Sequence, residues 1–304
     1  MTGEGVQSTS TGTVTPVFRR TIADLFKARF PFLYVQTWEE DRVVSEVAAV
    51  VSDPALIKTR RNLYVWSSTT GLAAPDAKPR SGSADPAKAL ELVEQLDEPA
   101  VFVFKDFHSY LGAGGRTPDP QIVRKVRGLV STLKNARCPK NVLFVSPTIV
   151  LPLELQKDIS VLDFEMPSFE EIARALQDII AVNRETGRIT IDLTHDDEER
   201  LTRAALGLTL QEAENAFARA MVQDGRLDVN DVDVVLEEKR QIIKKTEILE
   251  FIRSDGSFED VGGLENLKRW LAKRNRSWLD AARRYLCPSP RGFSSLASLD
   301  VARA

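Results

Sequence analysis

The sequence predicts an α/β domain, a mostly parallel sheet with helices on both faces, followed by an all-helical segment. Three observations carry that expectation. Between Phe32 and Phe164, short apolar runs rich in β-branched and aromatic residues alternate with amphipathic stretches, the pattern of strand–helix–strand units. The runs are nearly continuous in hydrophobicity, as strands buried on both faces must be. From Ser168 onward the apolar spacing becomes helical, with repeated capping-type starts.

Taken in order, Met1 to Pro16 is rich in Ser, Thr and Gly and lacks the apolar centre of a signal peptide, so it reads as a disordered leader. Thr21-Ile-Ala-Asp24 opens a short helix. Phe32-Leu-Tyr-Val-Gln36 is a buried strand, and Thr37-Trp-Glu-Glu40 has the form of a capping box that starts the next helix. Asn62 to Ser67 is a second strand, and Gly71 to Ala87 reads as an exposed loop because of its Gly, Pro, Ser and Ala content. Asp85-Pro86 caps a helix. Val101 to His108 is a third strand, Pro120 to Arg137 an amphipathic helix, Asn141 to Ser146 a fourth strand, and Val161 to Glu165 a fifth.

Beyond it, Ser168-Phe-Glu-Glu171 is a capping box. Thr194 to Leu206 and Thr209 to Val222 are further helices, the second ended by Gly225. Asn230 to Arg253 is a last long helix, whose Val232, Val235, Leu236, Ile243 and Leu249 suit packing on the helices before it.

After a hinge at Ser254 to Ser257 comes Phe258-Glu-Asp-Val-Gly-Gly-Leu264, then a basic helical stretch with Lys268, Arg269 and Trp270, then Pro288-Ser-Pro-Arg-Gly292. This succession resembles the entry of an AAA-type ATPase domain, as in the uncharacterised plastid and cyanobacterial group of that family. Leu206 to Asn215 is similar to the small helical lid of such domains. The resemblance implies a degenerate P-loop or AAA-like sheet, a lid, and the start of a second AAA module. It implies that Asp260, Val261 and Gly262 would contact adenine through backbone groups. ATP and Mg would be the cofactors of a full-length parent, which would assemble as a homo-oligomeric ring and remodel a macromolecular substrate.

The residues themselves depart from that pattern. No Gly-Lys-Ser/Thr phosphate loop occurs in the sequence, and without its backbone cradle and lysine a triphosphate is not held in the P-loop manner. The junction at Thr37 to Asp41 contains no glycine, and its Glu39, Glu40 and Asp41 would repel phosphate from a helix N-terminus. The third strand ends in Lys105-Asp106 where the family has Asp-Glu, and lysine does not ligate magnesium. Asp106 with His108 is the one alternative acid/base pair, weighed against a structural pair at a strand end. No catalytic residue and no metal ligand is assigned.

Read one base earlier, with synonymous codons chosen to suit, Phe293 to Ala304 spells Val-Leu-Leu-Thr-Gly-Val-Pro-Gly-Cys-Gly-Lys-Ser. That is an apolar strand followed by a complete phosphate loop, so the tail is read as reflecting a frameshift, with an ordinary polar tail as the alternative. Sequencing the locus decides this.

The expected organisation is therefore a leader at 1–16, a degenerate AAA-like domain at 17–167, a helical lid at 168–253, the start of a second AAA domain at 254–292, and an aberrant tail at 293–304. Length alone, 304 residues, suggests about two domains. A net charge of -3 gives no drive toward nucleic acid or anionic membranes. The two cysteines, Cys138 and Cys287, have no metal-ligand spacing and fit a cytoplasmic protein. The basic residues Arg124, Lys125, Arg127 and Lys134 read as a solvated helix face, and His195 as an exposed turn residue. Two functions follow: a catalytically inactive N-terminal fragment of an AAA ATPase, or a non-enzymatic adaptor with an AAA-like fold.

Overall fold

The computed structural model describes residues 17–245 apart from 76 and 188, together with 266, 269 and 270. The leader, Asp260, Val261, Gly262 and the tail after Gly292 lie outside these described residues. The chain divides into two compact units, Met1–Ile242 and Ile243–Ala304, and the fold below is that of the first.

The α/β part begins with α1 (Val17–Lys27), β1 (Phe32–Gln36), α2 (Glu40–Ser52), β2 (Asn62–Ser67) and β3 (Gly71–Ala73). It continues through α3 (Pro86–Gln95), β4 (Ala100–Lys105), α4 (Pro120–Lys134), β5 (Lys140–Ser146) and β6 (Ile159–Leu162). The sheet has six strands in the order β3-β2-β4-β5-β1-β6. All neighbours are parallel except β3, which runs antiparallel to β2.

Alternation along each strand feeds two separate cores. Phe32, Tyr34, Tyr64, Trp66, Phe102, Phe104 and Phe144 face α3 and α4, against Leu90, Val93, Val126 and Leu129. The intervening Leu33, Val35, Leu63, Val101, Val103, Leu143 and Val145 face Phe18, Ile22 and Phe26 of α1 and Val43, Val47 and Val50 of α2. Helices thus cover both faces, which is why the strand runs are apolar throughout.

Several boundaries differ from the sequence reading: α1 begins at Val17, not at Thr21, and α4 ends at Lys134, short of Arg137. The 71–87 segment is not a plain exposed loop. Leu72 is buried in the aromatic core, its N–H donates to Ser83 Oγ at 2.7 Å, and Trp66 Nε1 donates to the Ser83 carbonyl at 2.6 Å. A Cβ on Gly71 would come within 2.5 Å of Ser83 Oγ, and its φ is +79°, so glycine is required there by space as well as conformation.

Strand β4 stops at Lys105, short of His108. Asp106 is left-handed with φ 56°, a conformation Asp tolerates better than most residues. The turn drops Phe107 into the core, stacked 4.7 Å from Phe144. Strand β6 is Ile159–Leu162, not Val161 to Glu165, because Ile159 pairs with Phe32 and Leu162 with Val35. Phe164 leaves the sheet to pack edge-on against Phe18.

The helical part comprises α5 (Phe169–Thr186), β7 (Thr190–Ile191), α6 (His195–Ala205), α7 (Leu210–Asp224), β8 (Arg226–Leu227) and α8 (Asp231–Lys245). Capping boxes at Ser168, Thr194 and Thr209 start α5, α6 and α7, and left-handed Gly187 and Gly225 end α5 and α7. His195 is the first residue of α6. Its own core joins Ile172, Leu176, Leu201, Phe217 and Met221, and Val235 of α8 is buried in it with Val232 and Leu236 packed alongside. No helix among the described residues is long and apolar enough to cross a membrane.

Candidate functional site

In open parallel sheets the ligand crevice lies beyond the carboxyl ends of the strands. Here that edge brings together the ends of β1, β4 and β5, the start of α2 and the start of α7. The turn after β1 is anchored by the Thr37 N–H donating to the Ser146 carbonyl at 2.9 Å. Thr37 does not cap α2. Its Oγ1 accepts the Glu39 N–H at 3.1 Å, a local turn, while Glu39 is the residue that precedes the first helical turn, and no side-chain cap is made. The capping-box reading fails because the helix begins two residues later than the motif required. Thr37→Ala should therefore change stability by less than about 0.5 kcal/mol. Asp119→Ala should cost about 1 kcal/mol, since Asp119 accepts from Gln121 N at 2.9 Å and Ile122 N at 3.2 Å. Urea unfolding of the two variants checks both.

Glu39 is 9% exposed. Its Oε2 accepts from Arg42 Nη2 at 2.8 Å and Nε at 3.0 Å. Its Oε1 accepts the backbone N–H of Leu210, the first residue of α7, at 2.7 Å. Arg42 also donates to the Glu165 carbonyl and, at 3.4 Å, to Glu171 Oε1. Its guanidinium lies 4.1 Å from the centre of the Phe164 ring.

Around the α2 start, Lys105 from the end of β4 is 2.7 Å from Asp41 Oδ1 and 3.3 Å from Glu40 Oε2. Burial pushes the Lys105 ammonium down, but Asp41 and Glu40 outweigh it and hold it above the ordinary lysine value. Burial raises the Glu40 carboxyl, against the pull of Lys105. Lys105 is therefore committed to the two carboxylates.

The remaining sequence candidates are placed as follows. His108 Nδ1 stands 3.6 Å from Asp106 Oδ1, too far for a hydrogen bond, and Nδ1 has no hydrogen-bond partner among the described residues. Among the described residues no cluster of three or more His, Cys, Asp or Glu side chains could hold a metal ion. On the face of α4, Lys125 pairs with Glu91 at 3.0 Å.

Sequence reasoning found the carboxylates at this junction but missed what they bind. The Glu39–Leu210 bond joins residues 171 positions apart, and no local pattern signals it. A magnesium triphosphate does not fit this edge. The junction offers no glycine cradle, its lysine is paired, and a buried carboxylate already takes the α7 N-terminal amide.

Two family models match the chain in succession. The model for the N-terminal domain of SpoVK-like AAA ATPases covers residues 18–164, and the model for their second domain covers residues 170–246. An uncharacterised AAA domain-containing protein, ycf46, of Trieres chinensis is 33% identical over 273 residues, which is 88% of this chain and 51% of that protein. Its counterpart from Guillardia theta is 30% identical over 271 residues, 88% of this chain and 50% of that protein. The chain thus spans about half the length of these curated relatives. A crystal structure of the FIGL-1 AAA domain in complex with ADP is similar in fold, with a TM-score of 0.50 and 13% identity over 85% of each chain.

Proposed function

Since the chain belongs to the SpoVK-like AAA ATPases, we propose that residues 17–245 are a non-hydrolysing AAA-like module that serves assembly rather than ATP turnover. The observation carrying this reading is the β1–α2 junction. Where a P-loop fold places its phosphate loop, this chain has Thr37-Trp38-Glu39-Glu40-Asp41, with Glu39 buried and the nearby Lys105 paired to Glu40 and Asp41. Carboxylates at a helix N-terminus satisfy the dipole that an anionic ligand would otherwise use.

AAA proteins generally work as oligomeric rings with ATP and Mg, and the module's place in such an assembly is as a partner to a competent ATPase segment. In a longer protein that continued past this chain, nucleotide chemistry would fall to the part that begins at Phe258. There the family resemblance gives Asp260, Val261 and Gly262 the adenine contacts, and the longer protein would couple hydrolysis to remodelling a macromolecular substrate. Within this division of labour the first module is an adaptor, and its own chemistry is hydrogen bonding and ion pairing that fix its shape.

Calorimetric titration of the chain with magnesium ATP and ADP tests the reading. The expected result is no saturable heat and no phosphate release above background. Saturable binding or magnesium-dependent turnover that disappears in Asp106→Ala would overturn it and make the carboxyl edge of the sheet an active site.

A further inference from the structure

The capping box of α7 does not serve the amide of its first residue, Leu210. Thr209 Oγ1 accepts the Glu212 N–H at 3.2 Å and Glu212 Oε2 accepts the Thr209 N–H at 2.9 Å. The N–H of Leu210 takes no part in that exchange and goes instead to Glu39 Oε1, across the boundary between the α/β and helical parts. The same carboxylate holds Arg42, whose side chain is 11% exposed and reaches the Glu165 carbonyl in the connection to α5 and Glu171 in its first turn. Glu171 is itself fixed there, with Oε2 accepting the Ser168 N–H at 2.8 Å. One buried ion pair thereby ties α2, the connection, α5 and α7 together. Beside it lies an open groove of about 760 Å³ lined by Asp41, Arg42, Ser45, Glu171, Ala175 and Met221 among others.

Helix N-terminal amides and a guanidinium are the groups that ordinarily receive an anionic ligand. A buried ion pair adds little to net stability, because desolvation offsets much of its attraction. Removing one partner, by contrast, leaves the other charge buried without its counter-ion and loosens the parts the pair joins. We infer that the Glu39 carboxylate is an internal anion that latches the helical part shut against the α/β part, so that closure here requires no ligand. The inference rests on the non-hydrolysing reading above and supplies its conformational consequence: a module fixed in one state can serve as a rigid element of an assembly.

Amide exchange of the whole chain provides the test, with Leu210 as the reporter. Glu39→Gln keeps the shape but has one acceptor oxygen and no charge, so it cannot both accept from Leu210 and hold Arg42 in an ion pair. It should speed exchange at residues 209–212 by about tenfold or more while β4 and β5 stay protected. Glu39→Ala should do the same, and inorganic phosphate at millimolar concentration should restore protection at Leu210 in that variant and not in the wild type. Should Glu39→Ala fail to fold, the Gln variant alone decides the question through its localised exchange. Unchanged exchange at Leu210, a rise spread evenly over the chain, or a folded Ala variant indifferent to phosphate would overturn the latch. Any of these leaves the calorimetric result untouched, whereas ATP binding by the wild type would remove the non-hydrolysing reading without altering the exchange data.

Discussion

Phe144→Ala should lower the free energy of unfolding by about 3–5 kcal/mol, the range for deleting a large aromatic side chain from a packed core. Phe144 is fully buried in β5. Its ring stacks 4.7 Å from Phe107 and 5.7 Å from Phe32, and meets Phe104 at 6.0 Å and Tyr34 at 6.2 Å in edge contacts. Those four neighbours come from β1, β4 and the turn after β4, so truncation opens a void where three chain segments converge. Aromatic pairs in such geometries add to the area term. The measurement is urea unfolding followed by circular dichroism, with the midpoint falling and the slope unchanged. A loss below about 1.5 kcal/mol would mean that the surrounding rings close over the gap.

Lys140→Met should cost about 3 kcal/mol through a different mechanism, the loss of charge-assisted hydrogen bonds to otherwise orphaned carbonyls. Lys140 is 5% exposed, and its Nζ donates to the carbonyls of Val93 at 2.9 Å, Glu94 at 2.9 Å and Leu96 at 2.8 Å. These are carbonyls at the end of α3, which have no intrahelical donors, and a cation there also complements the helix dipole. Methionine fills the space but donates nothing. Burial lowers the Lys140 ammonium below its ordinary 10.5, with Asp97, Cys138 and Glu94 opposing. Between the folded value and 10.5 the unfolded chain binds the proton more tightly, so wild-type stability should rise relative to Lys140→Met as pH climbs through that window. The stability difference measured at neutral pH and in that alkaline window checks both the size and the sign. A methionine variant as stable as the wild type would show that water reaches the α3 carbonyls.

Much of the fold was legible because its strands and caps are local. Phe32 to Gln36 and Asn62 to Ser67 are apolar runs bounded by turn residues, and their ends fall where the composition changes. Ser168, Thr194 and Thr209 each stand three residues before Glu or Asp and form the boxes that spacing suggests. Thr37 has the same spacing with Glu40 and makes no box. The reason is tertiary: its N–H is drawn to the Ser146 carbonyl of β5, and that fixes the chain in a turn. Strand β3 was hidden because Gly71 and Ala73 carry no β signal, and it exists because Leu72 is drawn under Trp66 by Ser83.

At the candidate site, the sequence by itself determined the chemistry of the junction: no glycine, no lysine in place, and Glu39, Glu40 and Asp41 crowding a helix start. Charge and residue type are local properties and need no fold to be read. Only the tertiary structure decided that Glu39 is buried, that its carboxylate reaches the amide of Leu210, and that Lys105 is claimed by Glu40 and Asp41. Those pairings depend on parallel strands bringing the ends of β1 and β4 to the same edge, on either side of β5, and on the start of α7 reaching Glu39. A directional bond between residues far apart in sequence is set by that packing, and composition and periodicity carry no trace of it.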